Sequence, residues 1–424
     1  MKKLLAIISS MVLLVSLAGC LSGCEKEQKP LRVLVDLGGI EGAGSGFSPV
    51  SNEGVAISLK EYIIANGGPE DIEMETLPAE GSERSIALTR LRTEMMAGRG
   101  PDLFLVAFSW DIGGKNVSLF LQPEKSKELG LFYPLDDYIE NAQFMEWDNL
   151  NQTIMQAGYS EEWGQVLLPL AYNFPITLFD PDEITHTPSK DYTWYDQMAD
   201  ETLREAASTL WVNMGSEPLG DIADYVNKKL LITEEELLEI GKRYAENVVR
   251  YGDKMYEYTH TRMTVNYDDL GELSHSPAIV PLYSINGGVS ATITAFGAIN
   301  ATSKRPDDAF FILDLILSKQ SQQTSAFYHF LLVNAGLPVY DGLMTREASI
   351  KLDNFENWYM KDDVYETFCA MQDSITEARL YGSMEFLVEN LYKDFVGITE
   401  GYAEGSMEEL AHQTYTRMRQ ELSE

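Results

Sequence analysis

Short apolar runs alternate with helical segments in the first quarter of the chain, and this alternation restricts the fold more than any other feature. Residues 31–35 form a β-branched run, and residues 103–108 form a second apolar run. Between them the spacing of apolar residues predicts helices at about 53–65 and 83–97. Strand, helix, helix, strand in this order predicts parallel strands with helices packed on the faces of the sheet. The expected fold class is therefore α/β.

The length of 424 residues exceeds what one hydrophobic core usually organises, which predicts two domains. Apolar residues make up 45% of the chain and aromatic residues 11%, which is enough for two globular cores. A second strand-rich block covers residues 165–179, and Thr233 with Glu236 forms a capping box that opens a helix. Helices are also predicted at 307–317 and after a capping box at 406–409, so the C-terminal end is helical.

The N-terminus has the pattern of a bacterial lipoprotein signal. Two lysines precede an apolar run over residues 4–17. This run is shorter than the ~20 apolar residues that a membrane span needs. Small residues and Cys20 follow it, so cleavage before Cys20 would free a thiol for a lipid anchor. Residues 1–19 are then a signal peptide, and residues 20–30 are a polar tether.

Two alternatives to this interpretation remain. Cys24 offers a second site of lipidation, and a plain secretory signal would leave the protein without an anchor. No second long apolar stretch follows the first, so the body is not expected to be a membrane protein. The expected location is the outer face of the cytoplasmic membrane, with the protein tethered there by its lipid.

Charge and motifs exclude several classes of function. A net charge of −34 opposes binding to nucleic acid, whose phosphates it would repel. The Gly-rich segment 38–46 lacks the spacing of a dinucleotide or phosphate loop, and Ser45 is not in a nucleophile elbow. The five histidines have no metal-ligand spacing, so neither a metal nor another cofactor is expected. Cys369, the one cysteine beyond the N-terminal pair, is expected to be a small buried apolar residue.

One group of candidate solute-binding residues follows the second predicted strand. Ser109, Trp110 and Asp111 come directly after residues 103–108. Ligands of open α/β sheets gather at the carboxyl ends of the strands. A tryptophan there can stack on the apolar face of a sugar ring, while an aspartate accepts hydrogen bonds from the hydroxyls. The alternative for Trp110 is packing against the core of its own lobe.

Two further pairs of residues offer similar chemistry. Tyr172 and Asn173 lie in the second strand-rich block. Tyr283 and Asn286 lie beside a Gly-rich crossing at Gly287, where two lobes would meet. The alternative for Tyr172 and Asn173 is again packing in the interior.

Three stretches carry a resemblance to a known family. They are residues 96–103 (MAGRGPDL), residues 164–173 (GQVLLPLAYN) and residues 297–309 (GAINATSKRPDDA). Together they resemble the family 1 extracellular solute-binding proteins of ABC importers, the maltose-binding-protein-like group. The resemblance spans most of the chain in order, and it is weak over residues 116–133 and 186–262.

The resemblance implies a two-lobed periplasmic-binding-protein-like fold whose lobes close on a ligand about a hinge. Lobe 1 would contain residues 31–138 and 290–340. Lobe 2 would contain residues 139–289 and 341–424. The passage over residues 164–173 would be the crossing into lobe 2, which places Tyr172 and Asn173 there.

The family's sugar contacts can be carried over only by position. The positions that the resemblance implies are Glu41, Ser109, Trp110, Asp111, Asn173, Arg379 and Tyr381. Asn173 stands where some sugar-binding relatives have an acidic residue.

The expected function is therefore that of a monomeric, non-catalytic lipoprotein that captures a small solute and delivers it to an ABC importer. Carbohydrate is the favoured solute class. One alternative is a surface enzyme that degrades polysaccharides, which would need two carboxylates at catalytic spacing in an open groove. Another is a lipoprotein that reports ligand occupancy to a membrane sensor, and it would differ only in its partner.

Overall fold

The structure is a computed structural model, and it describes the chain in separate segments. The described residues are 29–37, 52–78, 81–107, 118–174, 176–179, 186–204, 216–251, 278–325, 336–343, 350–352, 355–358 and 362–423.

The strands of the described segments are numbered in chain order. They are β1 (Leu31–Asp36), β2 (Ile72–Thr76), β3 (Leu103–Ala107), β4 (Tyr159–Ser160), β5 (Gly164–Gln165), β6 (Leu168–Asn173), β7 (Ile176–Phe179), β8 (Ala223–Asp224), β9 (Lys229–Leu230), β10 (Ala278–Pro281), β11 (Val289–Ile299), β12 (Leu337–Pro338), β13 (Ile350–Leu352), β14 (Phe355–Trp358) and β15 (Ile375–Leu380).

The helices are numbered in the same way. They are α1 (Asn52–Ala65), α2 (Gly81–Met96), α3 (Pro123–Glu128), α4 (Asp136–Ile139), α5 (Gln152–Met155), α6 (Trp194–Ala199), α7 (Glu234–Tyr251), α8 (Pro306–Ile316), α9 (Lys319–Thr324), α10 (Asp362–Ser374), α11 (Ser383–Glu400) and α12 (Met407–Ser423), with single 3₁₀ turns at Trp147–Asn149, Gln156–Gly158 and Glu217–Leu219. No helix in the described part of the chain is both long and apolar enough to cross a membrane.

The main sheet has seven strands in the order β12-β6-β11-β3-β1-β2, with β15 also paired to β11. Strand β1 pairs in parallel with both β2 and β3, as the alternation of runs and helices predicts. Nearly every residue of β1 and β3 is buried. Because both faces of these strands are covered, their sequences are almost continuously apolar. The predicted helices are also present, with ends that differ from the expected ones by one or two residues.

Strands β3 and β15 meet end to end along one edge of β11. Strand β3 pairs antiparallel with β11 and ends where Ala107 lies opposite Ala295. Strand β15 pairs in parallel with the first part of β11 and ends where Leu380 lies opposite Ile293. The carboxyl ends of the two strands therefore face each other. The segments that follow β3 and β15 both leave the sheet at this point.

The chain passes twice between the main sheet and a smaller two-stranded sheet. Strand β6 belongs to the main sheet, and β7, three residues further on, pairs with β10 in the smaller sheet. Strand β10 leads back through a turn into β11. Gly288 in this turn has φ +71°, and a side chain there would collide with Thr376. The two crossings lie next to each other in the chain's path between the two sheets.

Two hydrophobic clusters correspond to the two bodies. The first, which we call the sheet core, contains the buried apolar residues of the main sheet together with those of α1, α2 and α8. The second, which we call the helical core, is formed mainly by α6, α7, α11 and α12. Leu237, Ile240 and Tyr244 of α7 are all buried in the helical core, and their spacing puts them on one helical face.

The strand that carries Tyr172 and Asn173 pairs within the main sheet, and the division of the chain into lobes stays a prediction. Tyr172 and Asn173 were expected in the lobe that does not contain residues 31–138. The structure pairs their strand β6 with β11, and β11 pairs directly with β3. The passage out of the main sheet begins only after Asn173, because the pairing of β6 with β11 holds the strand in the main sheet to that residue.

Candidate functional site

A cavity of about 570 Å³ lies between the elements of the sheet core and those of the helical core. Its walls are β15, α3 and α5 on one side, and residues 221–225 with the start of α11 on the other. We call it the seam cavity. Its size is in the range of small-molecule sites. Its charged lining residues in the described segments are Glu124, Lys127, Asp221, Glu377, Arg379 and Glu385.

Arg379 is the central cation of the seam cavity. Alternation along β15 puts it on the same face of the strand as Glu377. Its side chain is 2% exposed, and Nη2 lies 3.4 Å from Glu217 Oε2 in the 3₁₀ turn opposite. Burial by itself would lower the pKa of Arg379, but the nearby carboxylates, Glu217 foremost, outweigh burial and raise it. Arg379 therefore keeps its charge inside the protein.

Arg379 has hydrogen-bonding capacity that the protein does not fill. Its Nη1 donates a long hydrogen bond of 3.4 Å to the carbonyl oxygen of Gly220. Its Nε and Nη2 have no hydrogen-bond partner among the described residues. A buried donor without a partner is costly, so a ligand that supplies an acceptor at this point is stabilised.

Two carboxylates that interact with each other, those of Asp221 and Glu377, line the cavity beside Arg379. Gly220 has φ +60°, and a Cβ on it would overlap Glu377 Oε1, so this glycine lets the Glu217–Leu219 turn approach β15 closely. Glu377 Oε1 has no hydrogen-bond partner among the described residues. Asp221 is accessible to solvent but enclosed by protein on most sides. Burial raises the pKa of Asp221 to about 7, and repulsion from Glu377 and Glu124 adds to the effect.

The other charges of the seam cavity are satisfied by the protein. Lys127 Nζ lies 2.7 Å from Glu124 Oε2 and donates to the carbonyl oxygen of Ala157. Glu385 accepts a hydrogen bond of 2.8 Å from the Gly382 amide, in the first turn of α11. Burial raises the pKa of Glu385, and Arg379 opposes this rise.

A short polar strip continues from Arg379 across the sheet. Ser290 and Thr292 of β11 lie in register with Glu377 and Arg379 of β15, so their side chains share one face. Both hydroxyls are buried and have no hydrogen-bond partner among the described residues. Asn173 at the end of β6 lies opposite Thr292 on the same face, and it is half-buried.

A second, much smaller crevice lies where β3 and β15 meet. Ala107 at the end of β3 and Tyr381 just after β15 both line it. Tyr381 is buried, and its phenol lies close enough to Glu389 of α11 for burial and this carboxylate to raise its pKa. The predicted residues Ser109 to Asp111 follow Ala107 by sequence, but they lie outside the described residues.

A larger groove of about 1370 Å³ runs between α2 and α3 on one side and α11 and α12 on the other. Apolar side chains such as Met96, Leu129 and Leu387 line much of it. We favour the seam cavity for a polar solute because the unfilled donors and acceptors lie there.

The structure separates the sequence-predicted residues into groups. Arg379 lines the seam cavity, and Tyr381 lines the adjoining crevice. Tyr172 is fully buried, and its hydroxyl accepts a hydrogen bond of 2.6 Å from Gln372. Tyr283 is fully buried against His186 and Tyr192. The burial of both side chains favours a packing role, and their part in solute binding stays a prediction.

Several predicted positions remain predictions. Asn286 is exposed in the turn before β11, and no described contact connects it to the seam cavity directly. The predicted residues that lie outside the described segments are Cys20, Glu41, Ser109, Trp110 and Asp111.

The sequence interpretation missed most of the seam cavity. Glu377 could have been predicted from the sequence. It lies two residues before Arg379, so both are on one face of a short strand that begins and ends with an apolar residue. Asp221 and Glu217 carry no local signal of this kind. Their roles depend on a turn that reaches β15 from a distant part of the chain.

No protein-family model matches the sequence, and no curated protein matches it. Solved structures do resemble it. An extracellular solute-binding protein family 1 from Alicyclobacillus acidocaldarius subsp. acidocaldarius DSM 446 superposes with a TM-score of 0.57 at 16% identity, covering 94% of this chain and 100% of the other. The chain has the fold of the two-lobed solute-binding proteins. This fold confirms the α/β two-lobed architecture that the sequence predicts.

Two further solved structures have the same fold. A periplasmic oligogalacturonide binding protein from Yersinia enterocolitica superposes with a TM-score of 0.55 at 15% identity, covering 93% of this chain and 98% of that one. A cyclic alpha-maltosyl-1,6-maltose binding protein from Arthrobacter globiformis superposes with a TM-score of 0.53 at 12% identity, covering 92% of this chain and 98% of that one. At identities this low the likeness is one of fold.

Proposed function

We propose that the protein is a non-catalytic, extracytoplasmic solute-binding protein that closes on a carbohydrate and delivers it to an ABC importer. The observation that carries the proposal is the seam cavity, in which Arg379 and Glu377 keep unfilled hydrogen-bonding capacity beside each other. The two-lobed fold supports it, because a ligand held between two bodies stabilises their closed arrangement.

The chemistry of a sugar hydroxyl matches this pair. A hydroxyl accepts one hydrogen bond and donates another, so it can bind a guanidinium and a carboxylate at the same time. Hydrogen bonds to charged groups are stronger than those between neutral groups, especially once closure has removed water. Tyr159 and Tyr225 also line the seam cavity, and aromatic rings are the side chains that pack best against the apolar side of a sugar.

The N-terminal sequence supports a lipid anchor for this binding protein. Cleavage before Cys20 would leave the folded body attached by about ten polar residues, which at ~3.3 Å per residue reach roughly 30 Å. A body on such a tether can approach an importer in the same membrane. The proposed location is thus the outer face of the cytoplasmic membrane.

Calorimetric titration combined with thermal unfolding against a panel of oligosaccharides, amino acids and polyamines tests the proposal. We expect a saccharide to bind and to raise the melting temperature, since a ligand that binds only the folded state stabilises it. Glu377→Gln should weaken that binding, whereas Glu400→Gln, an exposed change on α11, should leave it unaltered.

Two outcomes would overturn the proposal. One is the absence of binding by any saccharide in the panel. The other is the steady appearance of new reducing ends in the recovered saccharide, which would identify an enzyme.

A further inference from the structure

The charges of the seam cavity do not balance. Lys127 is paired with Glu124, and Arg379 is paired with the buried Glu217 behind it. These two ion pairs use both cations that line the cavity in the described segments. Arg379 also attracts the carboxylates of Asp221 and Glu377, but neither of them forms an ion pair with a cation in the described segments, and the two repel each other.

The geometry keeps these two carboxylates close together. Gly220, the residue before Asp221, approaches Glu377 so closely that any side chain on it would overlap Oε1. Asp221 opens into the seam cavity and remains reachable from solvent. A cation that enters the cavity would therefore meet two negative groups at once.

A second observation indicates that the same occupant carries hydrogen-bond acceptors. Arg379 is 2% exposed, lines the cavity, and has two donor nitrogens, Nε and Nη2, without a hydrogen-bond partner among the described residues. A simple amine or metal ion would not satisfy these donors. The described residues also contain no group of three or more side chains placed to hold a metal ion.

We propose, on the basis of the proposed function, that the carbohydrate is an amino sugar whose protonated amine binds between Asp221 and Glu377 while its oxygens accept from Arg379. The ammonium group supplies the missing positive charge, and its three N–H groups can donate to both carboxylates. A hydroxyl or ring oxygen on the adjacent carbon supplies the acceptor for the guanidinium. A neutral sugar could satisfy Arg379 but would leave the two carboxylates uncompensated.

The experiment compares a disaccharide whose amines are free and protonated with one whose amines are acetylated and therefore neutral. Calorimetric titrations use the β-1,4-linked glucosamine disaccharide and its N,N′-diacetylated form at pH 7, where Asp221, whose pKa is about 7 in the empty cavity, can ionise as the protonated amine binds. We expect the charged disaccharide to bind at least tenfold more tightly, with an affinity that falls as salt is added.

Variants of the two carboxylates test whether the preference for the charged disaccharide arises in the seam cavity. Asp221→Asn and Glu377→Gln should each weaken binding of the charged disaccharide about tenfold or more, and the preference over the acetylated form should shrink in both. Asp221 is accessible and forms no ion pair with another described residue, so its replacement should leave the melting temperature of the empty protein close to that of the parent. Glu400→Gln is the matched control, and it should change neither affinity.

The outcomes separate the two proposals. Equal or tighter binding of the acetylated disaccharide would overturn the amino-sugar proposal and leave the solute-binding function standing. Binding of spermidine, with no binding of any saccharide, would overturn both. A preference for the charged disaccharide that persists in both variants would also overturn the assignment, because the amine would then bind elsewhere.

Discussion

Arg379 and Glu217 form a nearly buried ion pair across the boundary between the sheet core and the helical core, with Nη2 3.4 Å from Oε2. Arg379 belongs to the last strand of the main sheet, whereas Glu217 belongs to a turn that packs with the helical core. The pair thus joins the two bodies at the same place where the seam cavity opens.

Removing the cation of this pair should destabilise the protein strongly. We expect Arg379→Met to lower the free energy of unfolding by ~3–5 kcal/mol, because Glu217 is then left buried without a partner. The double variant with Glu217→Gln should recover part of the loss, since the carboxylate that pairs directly with Arg379 is then no longer charged. Urea unfolding measures both. Lys242→Met, which breaks the exposed pair with Glu408, should cost less than ~1 kcal/mol. Equal losses in the single and double variants would contradict the explanation.

Gly220 should tolerate no side chain. Its φ of +60° with ψ of −144° is a conformation that essentially only glycine adopts, and a Cβ would also overlap Glu377. We expect Gly220→Ala to lower stability by ~2–4 kcal/mol, the sum of backbone strain and collision. Gly67→Ala is the control, because Gly67 has a positive φ but open space around it, and it should cost only ~1 kcal/mol. Thermal unfolding that ranks the two variants alike would count against the close approach of turn and strand.

Stability should fall as pH rises through the neutral range. Burial, aided by repulsion from Glu217, raises the pKa of Glu389 from its ordinary 4.5 to about 8, while Tyr381, Lys393 and Arg379 act in the opposite direction. Between these pH values the folded state holds a proton that the unfolded state has released, so the free energy of unfolding decreases with pH.

Replacing this carboxyl group tests the effect. Glu389→Gln should lessen the decrease in stability between pH 5 and pH 8, on the order of a few kcal/mol for a buried group. Glu400→Gln on the exposed side of the same helix should keep the parent's pH dependence. Urea unfolding at a series of pH values measures both. A parent protein whose stability rises steadily over this range would contradict the assignment.

The lipid anchor is tested at the N-terminus. Cys20→Ser should abolish lipidation and move the protein from the detergent phase to the aqueous phase in a partition experiment. Cys24→Ser should leave partitioning as in the parent protein. The reverse result would make Cys24 the anchor, and detergent partitioning by the double variant would exclude a lipidated cysteine.

Local sequence patterns were sufficient for the elements and the fold class. The apolar run of β1 and the amphipathic spacing in α8 depend on residues a few positions apart, so both are visible in the sequence. The capping box of Thr233 and Glu236 was predicted for the same reason, and both reciprocal hydrogen bonds are present. Arg379 was singled out by its position in a family resemblance, and it does line the candidate site.

Only the tertiary structure decided which distant segments pair with each other. This pairing also determines which residues line the candidate site. Nothing in the local sequence of β6 determines that Tyr172 is buried beside β11 in the main sheet, which depends on a strand more than a hundred residues later. Asp221 and Glu377 are 156 positions apart and line the same cavity because Gly220 lets a turn approach strand β15. The sequence by itself determined which segments form helices and buried strands, since these depend on short-range periodicity and caps. The seam cavity and its unbalanced charge depend on which segments pack together, and that is set by contacts between residues far apart in the chain.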